Sequence, residues 1–169
     1  DLLDVKPEFV EFSQTTLDKL FSDLKNSQKA KDYFMSRSIS FEAMDYFKLG
    51  YSSVQNMVTV PLHSPDGIPV GIIGRSVEGK TFKNSPNLPR NKTMFNLHRA
   101  KREGGTIIVV ESSFDVIRLW QVGFPNAVAT LGGSISEVNI QHLNKYASTI
   151  IIMTDNDSAG RALGNTIAN

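Results

Sequence analysis

The chain has 169 residues, with 18 lysines and arginines against 17 aspartates and glutamates, and its formal net charge is +1. Hydrophobic residues make up 40% of it and charged residues 21%, which favours a globular protein with a buried core. The absence of cysteine excludes disulfides and cysteine-ligated zinc within this chain. No apolar run approaches the roughly 18 residues that a membrane-spanning helix needs, so we expect no membrane contact and a cytoplasmic location.

The two ends of the sequence lead us to expect a fragment of a longer protein. The sequence does not begin with Met, and its last residues, RALGNTIAN, are typical of a helix interior. The first residues, DLLDVKPEF, lack the basic and apolar regions of a secretion signal.

The first part of the chain predicts helices followed by a β-hairpin. Apolar residues at helical spacing in LDKLFSDLKNSQKAKDYFMSR predict two helices, and Ser40 is placed to cap a third that ends at Gly50. The β-rich runs MVTVPLH and IPVGIIGRSV flank the turn sequence SPDG, which predicts a hairpin. A loop with two prolines and a short helical piece, MFNLHRAKREG, follow the hairpin.

From Gly105 onward, predicted strands and helices alternate. The predicted strands are TIIVVE, AVATL and STIIIMTD, and we expect the first and third to be buried. In the helix predicted between the second and third strands, Ser134 and Glu137 have capping-box spacing. Such alternation predicts a parallel sheet with right-handed crossovers. We therefore expect an α+β or α/β protein, with a mixed subdomain over residues 1–104 and a parallel α/β subdomain over residues 105–169.

Residues 74–81, GRSVEGKT, match the phosphate-loop pattern of many ATPases. That loop needs a helix directly after it, whose N-terminal amides converge on phosphate. Here the chain continues as FKNSPNLPRNK, and its two prolines disfavour a helix. We therefore expect no ATP-hydrolysing phosphate loop.

The positive charge is concentrated in residues 75–102, called the basic segment below. Eight lysines and arginines stand there against Glu78 alone, a net charge of +7, so the rest of the chain carries −6. This asymmetry favours a polyanion site beside an acidic site, although ordinary solvated lysines would give the same composition. The candidate contacts for nucleic acid or nucleotide are Arg75, Lys80, Lys83, Asn84, Arg90 and Lys92.

Carboxylates follow two of the predicted strands. Glu111 ends TIIVVE, Asp115 comes one helical turn later, and Asp155 and Asp157 follow STIIIMT. Because the carboxyl ends of parallel strands meet at one edge of a sheet, Glu111 and Asp155 should lie together, with Asp115 and Asp157 nearby.

Four carboxylates in one crevice repel each other unless a cation neutralises them. Oxygen ligands without Cys or a nearby His favour a hard ion, Mg²⁺ or Mn²⁺. Taken singly, Asp115 could instead favour the dipole of its helix and Asp157 could be a helix cap.

Two stretches, VVESSFDVIRLWQVGFPNAVATLGGSIS and TIIIMTDNDSAGRA, resemble the Toprim fold of DnaG-type primases, topoisomerases and some nucleases. The order of Glu, Asp-Val-Ile, Gly-x-x-Asn-Ala-Val-Ala and a Leu-Gly turn is closest to the bacterial and phage primases. Upstream, VPLHSPDGIPVGIIGRSV and FKNSPNLPRNKTMFNLHRA resemble the basic half of the primase RNA polymerase domain. Ser112 stands where the family usually has Gly.

The resemblance implies a DNA primase that makes short RNA primers on single-stranded DNA from ribonucleoside triphosphates, in a bacterium or a phage-infected host. Glu111, Asp155 and Asp157 would be catalytic, and with Asp115 they would hold Mg²⁺ or Mn²⁺; Glu111 could be a ligand or a general base. Arg75, Asn84 and Lys92 match the family's groove residues. Further acids, a zinc module and contacts with a replicative helicase would lie outside this chain.

Two other functions remain open from sequence. A Toprim nuclease would use the same metals to activate water, whereas a non-catalytic module would bind single-stranded DNA through the basic segment. A topoisomerase would need a nucleophilic Tyr, and all four tyrosines stand in helical or core-like contexts.

Overall fold

A computed structural model describes residues 7–155 and 158–168. In this part of the chain no helix is long and apolar enough to cross a membrane. Asp157 lies outside the described residues.

The first part of the chain forms four helices and an antiparallel sheet. The helices are α1 (Gln14–Lys25), α2 (Gln28–Ser36), α3 (Phe41–Tyr46) and the short α4 (Leu97–Ala100). The strands are β1 (Gly50–Ser52), β2 (Met57–His63) and β3 (Pro69–Ser76). They pair in the order β1-β2-β3, and the predicted SPDG turn connects β2 to β3.

The second part forms a parallel sheet with helices between its strands. Its elements are β4 (Gly105–Val110), α5 (Ser113–Gln121), β5 (Ala127–Ala129), α6 (Glu137–Tyr146), β6 (Ala147–Ile152) and α7 (Ser158–Ala168). The strand order is β5-β4-β6, and both pairings are parallel. The predicted fold class, a mixed subdomain followed by a parallel α/β subdomain, is confirmed.

The central strand β4 supplies side chains to two hydrophobic clusters. Ile108 and Val110 join a cluster that contains residues of α1 to α3, β1 to β3 and α5. Ile107 and Val109, on the opposite face, join a second cluster with Leu143 of α6. Because successive residues of a strand point to opposite faces, one apolar run fills both layers and fixes β4 in the middle of the fold. The division into subdomains at residue 104 stays a prediction.

Three local expectations were wrong. The third helix ends at Tyr46, and Gly50 begins β1, which the sequence analysis did not predict. The cap of α6 is Ser136, whose Oγ accepts a hydrogen bond from the backbone N–H of Asn139 at 3.1 Å, so Ser134 is not the cap. Strand β6 was expected to be buried, but among the described strands it pairs only with β4, and its side chains are half-buried or exposed.

Two histidine rings lie against each other where β2 ends beside α4. The ring centroids of His63 and His98 are 4.3 Å apart, and neither Nδ1 has a hydrogen-bond partner among the described residues. Burial, followed by the charge of Arg99, lowers the pKa of His63 to about 4 and the pKa of His98 to about 2. Both rings are therefore neutral near neutral pH in the folded protein.

We predict that acid destabilises the fold through this pair. Below pH 6.5 the unfolded chain binds protons that the folded protein cannot accept, so stability is complete above pH 6.5 and falls toward pH 4. The expected slope is up to about 1.4 kcal/mol per pH unit for each histidine. Urea unfolding of wild type and His98→Asn at pH 7 and pH 5 measures how the free energy of unfolding depends on pH. The variant should have the shallower pH dependence of its free energy of unfolding; equal slopes in the two proteins would contradict the assignment.

Candidate functional site

The carboxyl ends of β4 and β6 meet at one edge of the parallel sheet. Glu111 follows β4 directly, and its Oε1 accepts a hydrogen bond from the backbone N–H of Asp155 at 3.0 Å. The two strands are in register up to Val109 and Ile152, and the N–H of Met153 donates to the carbonyl of Val109 at 2.9 Å. The structure therefore brings Glu111 and Asp155 together, as the sequence analysis expected of these two strand ends. Glu111 is half-buried and Asp155 is exposed.

The loop after β5 closes the same edge from the other side. The backbone N–H of Leu131 donates to the carbonyl of Glu111 at 3.0 Å. Leu131 has a positive φ of 64°, an uncommon conformation for a side chain of this size. The guanidinium of Arg90 reaches the carbonyl of Leu131 at 3.4 Å. One cation of the basic segment thus lies two hydrogen bonds away from the backbone of Glu111.

Asp115 is engaged in an ion pair. It lies in the first turn of α5, and its Oδ1 is 3.1 Å from Nη1 of Arg118 one turn later. The Nε of Arg118 also donates to the backbone carbonyl of Arg37, at the end of α2, at 3.0 Å. This pair neutralises Asp115 within the chain, so a metal ion would have to compete with Arg118 for it.

The start of α7 packs tightly against Asp155. A Cβ atom placed on Gly160 would overlap the backbone carbonyl of Asp155, so only glycine allows this approach. Within residues 7–155 and 158–168, no group of three or more acidic, His or Cys side chains is arranged to hold a metal. The predicted site role of Asp157 falls outside the described residues and stays a prediction.

The basic segment begins in β3 and doubles back along it. The backbone N–H of Lys83 donates to the carbonyl of Gly74 at 2.9 Å, and Phe82 forms a bridge with Arg75. A Cβ at Gly74 would overlap the carbonyl of Lys83, so glycine permits this close approach. No helix follows residues 74–81, because α4 begins only at Leu97. The helix that an ATPase phosphate loop requires after residues 74–81 is therefore missing, as the two prolines predict.

The candidate contact residues of the basic segment form no ion pair with any described residue, although Lys101 of the same segment lies 3.7 Å from Asp66. Lys80, Lys83, Asn84 and Arg90 are exposed, and Lys92 is half-buried with its Nζ 3.2 Å from the carbonyl of Glu8. Glu78, the one acid of the segment, pairs at 2.9 Å with Lys29, which lies outside the segment. A hydrogen bond from Lys29 lowers the pKa of Glu78. The segment therefore keeps its positive field near neutral pH.

Sequence reasoning missed three features of this region. Arg118 was not considered as a partner of Asp115, although the spacing of three residues on a helix is a usual one for ion pairs. The contact between Arg90 and Leu131 joins residues 41 positions apart, and no local pattern predicts it. Phe82 was also passed over, although it stands between Lys80 and Lys83 in a sequence without local apolar periodicity.

Comparison with known proteins agrees with this geometry. Residues 105–169 match the family model of the Toprim domain. The DNA primase of Thermotoga maritima is 27% identical over 197 residues, an alignment that covers 90% of this chain and 35% of that protein. The crystal structure of the Aquifex aeolicus primase, comprising zinc-binding and RNA polymerase domains, has a TM-score of 0.80 at 26% identity, covering 90% of this chain and 49% of that one.

The chain is thus similar to DnaG-type primases over nine-tenths of its length. A further solved structure, a DnaG primase catalytic domain bound to single-stranded DNA, has a TM-score of 0.80 at 22% identity over 90% of this chain and 62% of that one. At that identity the likeness shows the shared fold. The chain spans about a third of the length of the curated primases that it matches.

We predict that Gly160→Ala destabilises the protein by about 1–3 kcal/mol, because its Cβ cannot fit against the carbonyl of Asp155. Gly164 of the same helix is the matched control. Its added Cβ would lie 3.3 Å from Oγ1 of Thr154, which a small shift accommodates, and alanine is the better helix former by up to about 1 kcal/mol. Urea unfolding of Gly160→Ala and Gly164→Ala should show opposite or clearly unequal changes in the free energy of unfolding. Equal losses of stability in the two variants would contradict the role of Gly160.

Proposed function

We propose that the chain is the catalytic core of a DNA primase, which makes short RNA primers on a DNA template by metal-dependent nucleotidyl transfer. The contact between Glu111 and Asp155 carries this proposal, because it places two acids at the ligand-binding edge of a parallel sheet. The basic segment, whose single acid Glu78 is paired with Lys29, lies beside that edge and is joined to it through Arg90 and Leu131.

The acidic edge has the donor set for a divalent ion. Glu111 and Asp155 present oxygens only, and their exposure leaves room for further ligands such as water or phosphate. Hard ions that prefer oxygen, Mg²⁺ or Mn²⁺, suit this chemistry. Such an ion would neutralise the developing charge on the phosphates during transfer. Asp157 would complete the set, and Asp115 would join when released by Arg118.

The chain's own residues have separable tasks in this mechanism. Asp155 and Asp157 would hold the ion, which would supply positive charge for the triphosphate, while Glu111 would either complete the ligand set or accept the proton of the attacking 3′-hydroxyl. The lysines and arginines of the basic segment hold template and nucleotide phosphates, and Asn84 offers an uncharged hydrogen-bonding group beside them. The residues with these contacts are Arg75, Lys80, Lys83, Asn84, Arg90 and Lys92.

The partners follow from the same reasoning. The template is single-stranded DNA, as in the related structure whose catalytic domain holds it. The substrates are ribonucleoside triphosphates. Because the chain spans about a third of its curated relatives, further acids of the metal site, an initiation module and a helicase contact belong to the longer protein. The division of the core at residue 104 separates a basic, template-holding subdomain from the acidic one.

We predict that Glu111→Gln and Asp155→Asn each abolish dinucleotide synthesis in the full-length protein and weaken Mn²⁺ binding to this chain at least tenfold. Each change removes a charge and keeps the shape. The glutamine side chain of Glu111→Gln retains a carbonyl that can accept the N–H of Asp155, so the fold should survive. Calorimetric Mn²⁺ titration of this chain and a primer-synthesis assay of the full-length protein measure the two effects.

Glu137→Gln serves as the control, since it removes an acid from the first turn of α6. It should leave Mn²⁺ affinity within about twofold. Normal dinucleotide synthesis by either site variant would overturn the primase proposal. Metal-dependent nicking of plasmid without synthesis would favour a nuclease, and DNA binding that ignores both metal and Glu111→Gln would favour a non-catalytic module.

We also predict that single-stranded DNA binding depends steeply on salt, because phosphate contacts release counterions. Lys83→Gln and Arg90→Gln should each weaken binding for all sequences and reduce the slope of log affinity against log salt by about one. Fluorescence anisotropy with a labelled oligonucleotide from 50 to 300 mM salt, about the range where phosphate contacts dominate, measures the slope. Lys19→Gln, in α1, is the control and should not change it; an unchanged slope in the segment variants would place the DNA elsewhere.

A further inference from the structure

A phenylalanine ring stands exposed in the middle of the basic segment. Phe82 is 62% exposed, although its backbone is held firmly. It forms an antiparallel bridge with Arg75, and hydrogen bonds of 2.9 Å on either side join Ser76 to Thr81 and Lys83 to Gly74. The ring therefore projects into solvent from a fixed strand-like segment, with its conformational entropy already reduced.

The guanidinium of Arg75 contacts two aromatic rings. It is 5.3 Å from the centroid of Phe82 and 4.9 Å from the centroid of Phe114, which is buried. Its Nε is buried without a hydrogen-bond partner, and Arg75 forms no ion pair with any described residue. A partly buried arginine that no acid neutralises has hydrogen-bonding capacity left for an anion.

This stack connects the basic segment to the acidic edge. Phe114 lies in the first turn of α5, three residues after Glu111 and next to Asp115. The order from solvent inward is Phe82, Arg75 and Phe114. A group resting on the outer face of Phe82 would thus lie on the side of the molecule where the basic residues approach the carboxylates.

We propose that Phe82 is a stacking platform for a nucleobase and that Arg75, beneath it, binds the phosphate of the same or the adjoining nucleotide. The inference rests on the proposed function and adds a base contact to a surface otherwise defined by charge. A base stacks on an aromatic face with little dependence on sequence, and a neighbouring arginine adds an attraction to its phosphate. The ligand is a nucleobase with its phosphate, carried by a single strand or by a nucleoside triphosphate.

The test compares Phe82→Ala with Phe82→Trp in binding to oligo(dT) and to ATP with Mn²⁺. Phe82→Ala should weaken at least one of the two ligands about fivefold to thirtyfold, and Phe82→Trp should restore the affinity. The fluorescence that the new indole of Phe82→Trp adds should be quenched by that ligand, since stacking brings the base onto the indole. Which ligand loses affinity identifies the strand or the nucleotide as the source of the base.

Two controls separate stacking from other effects. Phe124→Ala removes another exposed phenylalanine, 50% exposed and beyond the end of α5, and should bind as wild type does. An oligonucleotide of abasic sites should bind Phe82→Ala and wild type equally, because only the phosphates remain. The salt slope of Phe82→Ala should equal that of wild type, unlike the slopes of the lysine variants.

Each outcome decides the inference. Unchanged affinity of Phe82→Ala for both ligands, while wild type binds, would overturn the platform and leave the proposed function intact. A loss that abasic DNA shows equally would overturn it too, because that loss would come from disturbed phosphate contacts. If wild type binds neither ligand, the proposed function itself fails.

Discussion

The candidate site depends on the parallel pairing of β4 with β6. That pairing positions Asp155 so that its backbone N–H donates a hydrogen bond to the carboxylate of Glu111. The hydrogen bond fixes one carboxylate oxygen of Glu111 and leaves the other for a ligand. Strand β4 can hold this position because its side chains fill hydrophobic layers on both of its faces. Burial of β4 therefore acts on the site directly, since any slip of the strand would separate the two acids.

Electrostatic separation is the second constraint. The basic segment and the acidic edge approach each other closely, yet the chain prevents them from pairing. Glu78 is held by Lys29, and Asp115 is held by Arg118. Both acids are thus satisfied by cations from outside the segment, while its candidate contacts Arg75, Lys80, Lys83, Arg90 and Lys92 form no ion pair with any described residue. A polyanion together with a metal ion would complement both surfaces at once.

Much of the fold could be predicted from the sequence, because the patterns that specify its helices, strands and turns are local. The SPDG turn, the continuous apolar run of β4 and the alternation after Gly105 each predict one element, and the structure contains each of them. The acids at the strand ends were readable for the same reason. What sequence missed depends on contacts between distant segments. Burial of β6 could not be judged from its apolar run, since an edge strand and a central strand have similar compositions. The contact of Arg90 with Leu131 and the stack around Arg75 exist only after the chain has folded.

Arg118 shows how these constraints meet at one residue. It binds Asp115 on its own helix and the carbonyl of Arg37 at the end of α2. Both side chains of the ion pair are partly exposed, so the pair itself stabilises the fold little. Its larger consequence is electrostatic, because the guanidinium cancels the negative charge of Asp115 in the helical turn that follows Glu111. A metal ion bound by Asp115 would have to displace Arg118 from that carboxylate.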